Sequence, residues 1–69
     1  MKSAKEMFEE LGYDRDFHIS SIRYYNYQLE QYVWFYQDTE TIEIQFDFDL
    51  KILQAINKQV EELWGGNDA

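Results

Sequence analysis

The sequence predicts an α+β domain: a short N-terminal helix, a three-stranded antiparallel meander, and a C-terminal amphipathic helix packed on one sheet face. Three observations carry that expectation. A capping signal at Ser3 opens an apolar stripe of helical period. A central run from Ile22 to Phe48 is rich in aromatic and β-branched residues. Beyond Asp49, apolar residues recur every three or four positions.

In the first element, Ser3 and Glu6 have the spacing of a capping box. There the serine hydroxyl accepts the orphan amide three residues on, and the glutamate reaches back. Ala4, Met7, Phe8 and Leu11 fall on one stripe, with Glu6, Glu9 and Glu10 largely outside it. Gly12 supplies a left-handed stop, and Tyr13 is placed to pack back on Phe8. Tyr13 to His18 reads as a polar connection, with Asp14 and Asp16 flanking Arg15.

Extended structure is expected from Ser20 to Tyr27, then a turn at Gln28 to Gln31 that lacks an Asn-Gly or Asp-Gly signal, then a return strand from Tyr32 to Tyr36. The turn at Asp38 to Glu40 is better marked. Beyond it Ile42, Ile44, Phe46 and Phe48 alternate with Glu43, Gln45 and Asp47, as in a strand with one wet face. Asp49 is the expected N-cap of the last helix. Leu53, Ile56, Val60 and Leu63 form its stripe, Ile52 and Ala55 widen it, and Gly65 and Gly66 end it after Trp64.

With 69 residues there is room for one core, so residues 1–69 are expected to form a single domain whose ends, 1–2 and 66–69, fray. Cysteine is absent, which removes disulfides and thiolate metal sites as sources of stability. No stretch approaches a membrane span, and Met1 to Leu11 alternates charged with apolar residues, so a cytoplasmic protein without membrane association is expected. Fourteen acidic against six basic residues give a net charge of -8, a field that repels phosphate backbones and argues against direct nucleic-acid binding.

The chemical signals are sparse. His18 is the single histidine, and one imidazole among carboxylates matches no zinc or iron spacing. Ser20 and Ser21 follow it, but neighbouring strand residues point to opposite faces and no glycine-rich nucleophile turn surrounds them. Asp47-Phe48-Asp49 lacks the glycine and later glutamate of a calcium loop. Gly65 and Gly66 follow a helix, where no phosphate cradle forms. The chain is therefore expected to be no enzyme, with no catalytic residue, cofactor or metal.

What stands out is aromatic surface. Ile22, Val33, Phe35, Ile42, Ile44 and Phe46 suffice for a core under two short helices. Tyr25, Tyr27, Tyr32, Trp34 and Tyr36 remain for the opposite face as the expected partner-binding set. Tyrosine has high β-propensity and tolerates half exposure, but Tyr and Trp are also enriched where proteins meet. The partner is either another protein or a second copy of the chain. A third reading lets Glu6, Glu9, Glu10, Asp14 and Asp16, together with Glu40, Glu43 and Asp47, form a stripe that mimics a nucleic-acid backbone. Glu61 and Glu62 oppose the dipole at a helix C-terminus, which hints at a use other than helix stability.

The opening Ser3-Ala4-Lys5-Glu6-Met7-Phe8-Glu9-Glu10-Leu11-Gly12-Tyr13 and the closing Leu53-Gln54-Ala55-Ile56-Asn57-Lys58-Gln59-Val60-Glu61-Glu62-Leu63-Trp64 resemble a group of small uncharacterised proteins of phages and prophages of low-GC Gram-positive bacteria. The likeness covers about a third of the chain and departs at the end, where Leu63-Trp64-Gly65-Gly66 replaces the usual Leu-Gly-Trp. It implies an accessory protein that binds a bacterial host factor, or one that occupies a basic nuclease channel as small acidic anti-CRISPR inhibitors do. It transfers no residue role.

Overall fold

The computed structural model describes residues 2–45 and 49–65. Helix α1 spans Ala4–Glu10, strands β1 to β4 span Asp14–His18, Ser21–Asn26, Gln31–Tyr36 and Thr41–Gln45, and helix α2 spans Leu50–Trp64. The sheet is an antiparallel meander in the order β1-β2-β3-β4. It therefore has four strands where the sequence suggests three.

The additional strand is the Asp14–His18 segment, read from sequence as a connection. Its composition carries no strand signal, because only Phe17 is a strong β-former. Register supplies what composition lacks: Asp14 faces Tyr25, Asp16 faces Arg23 and His18 faces Ser21 across the β1–β2 ladder. The link is only Ile19–Ser20, so Ile19 stands fully exposed in a turn and does not open a strand. Accordingly β2 starts at Ser21 and ends at Asn26, one residue inside each expected limit.

Both following hairpins use four-residue turns, 27–30 and 37–40. Each ends in a glutamate with positive φ, Glu30 and Glu40, both at 54°. A left-handed position filled by Glu instead of Gly explains why neither turn carries a glycine signal. The first turn is also secured by Asn26, whose Oδ1 accepts the Leu29 amide at 3.1 Å. Tyr27 thus lies in a turn, and Gln31 belongs to β3.

Helix α1 begins and ends as its sequence directs. The Ser3 hydroxyl accepts the Glu6 amide at 3.2 Å, and the Glu6 carboxylate accepts the Ser3 amide at 2.8 Å. At the other end, the Tyr13 amide donates to Phe8 O and the Gly12 amide to Glu9 O, the two bonds of a Schellman stop. Gly12 has φ +93°. Tyr13 packs edge-on against Phe8, with ring centroids 5.7 Å apart. Lys2, expected to fray, sets its Nζ 2.7 Å from the Glu10 carboxylate.

Alternation divides the sheet into a covered and an uncovered face. Ile22, Tyr24, Val33 and Phe35 point toward the helices and are buried with Phe8, Tyr13, Ile52, Ala55 and Ile56. At the centre Phe8 stacks on Tyr24 with centroids 3.9 Å apart, and Phe35 meets both rings edge-on. Each fully buried large side chain contributes about 1.5–3 kcal/mol of hydrophobic stabilisation. Helix α2 lays Ile52, Ala55, Ile56 and Gln59 into this core, so the stripe is rotated from the expected one: Leu53 is 38% exposed, while Val60 and Leu63 flank the core. Buried Gln59 is accommodated because Tyr24 donates its hydroxyl to Gln59 Oε1.

In β4, Ile42 packs against the core, whereas Ile44 is 39% exposed. The expected continuation of that strand through Phe46, Asp47 and Phe48, and fraying at 66–69, lie outside the described residues. Asp49 caps α2 by accepting the Lys51 amide at 2.8 Å, and Gly65 follows the last helical residue, Trp64.

Candidate functional site

The uncovered face is a grid built by three ladders. Its central row runs Asp16, Arg23, Trp34, Glu43 across the four strands, flanked on one side by Asp14, Tyr25, Tyr32, Gln45 and on the other by His18, Ser21, Tyr36, Thr41. Four of the five aromatic residues singled out in the sequence, Tyr25, Tyr32, Trp34 and Tyr36, share this face. The fifth, Tyr27, has left the strand and stands in the turn, 75% exposed, yet its ring stays 4.5 Å from that of Tyr25.

The four sheet aromatics are half-buried, because they cover one another. Trp34 stacks on Tyr36 at 5.3 Å and meets Tyr32 edge-on at 6.3 Å. His18 lies over Trp34 from the edge strand at 5.9 Å. Such packing fixes the rings before any partner arrives, which lowers the ordering cost of binding.

Two charged residues outside the expected partner-binding set, Arg23 and Glu43, organise the rings. Arg23 reaches between Tyr25 and Trp34, its guanidinium carbon 4.9 Å and 5.1 Å from the two centroids, and pairs with Asp16. Glu43 accepts hydroxyl hydrogen bonds from both Tyr32 and Tyr36. The signal for both was parity: Arg23 stands two residues before Tyr25, and Glu43 belongs to the wet side of an alternating strand. Register places them, and register is not readable from one strand alone.

Electrostatics follow from these contacts. The two tyrosine bonds hold the Glu43 carboxyl below its ordinary value. The same Glu43 bond raises the Tyr32 hydroxyl; for Tyr36, partial burial comes first and Glu43 second. Tyr25 is raised by partial burial, then by Asp16 and by Tyr27. The ring hydroxyls are therefore neutral donors throughout the physiological range.

Next to the β2–β3 turn the face dips into a hollow of about 270 Å³ lined by Arg23, Tyr25, Tyr27, Glu30, Tyr32 and Gln45, among others. Elsewhere, among the described residues, no three His, Cys, Asp or Glu side chains converge as a metal site would require. Among the described residues, no helix is long and apolar enough to cross a membrane.

The carboxylates of the sequence stripe are divided between layers. Lys5 pairs with Glu9, Lys2 with Glu10, and Glu6 caps its own helix on the covered side, whereas Asp14, Asp16 and Glu43 stand on the open face. Glu62 has a local use too: its carboxylate accepts the Ala4 amide at 2.9 Å.

No family model, curated protein or solved structure matches the chain.

Proposed function

We propose that the chain is a non-enzymatic protein-binding module that docks its uncovered aromatic face on a bacterial host protein presenting a basic surface. One observation carries this reading. Both helices lie on the same side of the sheet, so Tyr25, Tyr32, Trp34 and Tyr36 form a pre-packed layer with no covering element among the described residues. Aromatic rings with polar tips, set around an arginine, are the composition of interface centres.

Charge selects the partner. A protein of net charge -8 approaches a basic surface with electrostatic assistance and a second copy of itself against repulsion. The division of the carboxylates between two layers, several of them already paired, favours this reading over a continuous imitation of a phosphate backbone.

The test uses Trp34→Ala and the double variant Tyr32→Ser/Tyr36→Ser in affinity capture from host lysate, followed by measurement of the purified pair. Loss of a defined complex at least tenfold in Kd, with unchanged far-ultraviolet circular dichroism, is expected for a central aromatic anchor worth about 1.4 kcal/mol or more. Sedimentation of the isolated chain as a dimer that these substitutions dissociate would instead identify a second copy as the cover. If the variants unfold, the face is structural and the proposal fails.

A further inference from the structure

We infer that the hollow beside the β2–β3 turn receives a cationic side chain, lysine or arginine, projecting from the basic partner. This rests on the open face being the docking surface and adds what one part of it recognises. Three tyrosines, Tyr25, Tyr27 and Tyr32, line the hollow. Tyr25 and Tyr27 lie 4.5 Å apart with their planes tilted by 52°, so two ring faces form a corner instead of a flat wall. A ring face is electron-rich, and several faces around one small volume attract an ammonium or guanidinium group that has shed part of its water.

The charges at the rim agree. Glu30 lines the hollow, and among the described residues no cation pairs with it. Arg23 also lines it, but its charge is matched by Asp16 and its guanidinium is engaged with Tyr25 and Trp34. Gln45, whose side-chain amide carries an acceptor oxygen, lines the same hollow, whereas Gln31 Oε1 is already engaged by the Tyr13 hydroxyl. An entering cation thus meets tyrosine side chains and the Glu30 carboxylate, which pairs with no cation among the described residues. An anion meets the same carboxylate and an arginine already paired with Asp16. The volume, about 270 Å³, suits one long side chain and excludes a folded segment.

The two acidic turns provide a matched control. Glu30 and Glu40 have the same φ of 54° at the ends of equivalent turns, but the hairpins put them at opposite ends of the sheet. Replacing either by Gln removes one charge without changing the backbone requirement. Only Glu30 lines the hollow.

The experiment is a ¹H–¹⁵N NMR titration of the full chain with the blocked pentapeptides Gly-Gly-Arg-Gly-Gly and Gly-Gly-Lys-Gly-Gly, and with the uncharged citrulline analogue of the first. Saturable shifts centred on Tyr25, Tyr27, Glu30 and Tyr32 are expected with at least one charged peptide and none with citrulline. Tyr27→Ala and Glu30→Gln should each weaken binding by about threefold or more, the scale of one exposed cation–π or charge contact, and Glu40→Gln should leave it unchanged. Absence of a saturable shift up to ~20 mM peptide, equal response to citrulline, or equal weakening by Glu30→Gln and Glu40→Gln overturns the inference. The two proposals separate cleanly: if Trp34→Ala abolishes the partner complex but Tyr27→Ala and Glu30→Gln do not weaken it or the peptides, the docking face stands and the cation hollow falls. If the peptides bind as expected while Trp34→Ala leaves the partner complex intact, the hollow binds cations but the face is not the docking surface.

Discussion

The Glu62 carboxylate accepts the Ala4 amide at 2.9 Å across a sequence separation of 58 residues. The last turn of α2 thereby caps the first turn of α1. A glutamate that opposes its own helix dipole at a C-terminus is compensated by the positive end of another helix. Glu62→Ala should lower stability by about 0.5–2 kcal/mol, the range for losing an N-terminal cap. Its neighbour Glu61, whose exposed carboxylate pairs with Lys58, should cost less than about 0.5 kcal/mol when replaced by Ala. Urea denaturation of the two variants side by side checks the contrast.

The buried Tyr24–Gln59 hydrogen bond joins sheet to helix inside the core. Tyr24→Phe leaves a buried amide oxygen unsatisfied and should cost about 1–3 kcal/mol. Adding Gln59→Leu should recover part of that loss, because both polar partners are then gone. A double-mutant cycle in which the two losses simply add would contradict this coupling.

Burial, the largest cause, pushes the Tyr24 hydroxyl up to about 12 from its ordinary 10.0. A raised folded-state value means that the native state holds its proton where the unfolded chain has released it. Stability from this source is complete below pH 10 and is lost as pH rises toward 12. Stability from equilibrium unfolding between those limits should fall with pH in the parent and fall less steeply in Tyr24→Phe.

On the open face, the Tyr32 and Tyr36 bonds lower the Glu43 carboxyl below 4.5. Their contribution is present above that value and disappears as acid protonates Glu43. Carbon-detected NMR titration should place Glu43 below ordinary glutamates, and Tyr32→Phe/Tyr36→Phe should return it toward them. An unchanged midpoint in the double variant would show that the hydroxyls are not the cause.

Three backbone positions permit opposite predictions. Glu30→Gly and Glu40→Gly relieve left-handed strain and should stabilise by about 0.5–1 kcal/mol each. Gly12→Ala introduces that strain at φ +93° and brings a Cβ to 3.2 Å from Asn26 Nδ2, so it should destabilise by about 1–2 kcal/mol. Thermal melts of the three variants give the signs directly.

Legibility in the sequence followed the physics of each element. Both helices were readable because caps and periodicity are local: Ser3 with Glu6, Gly12 with Tyr13, and Asp49 act within a few residues. Strand β1 was not, because Asp14, Arg15 and Asp16 become a strand through pairing with Tyr25, Tyr24 and Arg23, a non-local cause. The aromatic face was largely legible from parity, with Tyr27 displaced into the turn. Arg23 and Glu43, which tie the rings together, needed the register to be recognised.

Among the described residues, the meander leaves β1 and β4 as the sheet edges. Antiparallel pairing of two copies about the middle of either strand would set Asp16 against Asp16 or Glu43 against Glu43. Like charges in direct opposition discourage chains from adding edge to edge into growing fibrils. Charge at both edges therefore opposes edge-to-edge growth without involving the half-buried aromatic face.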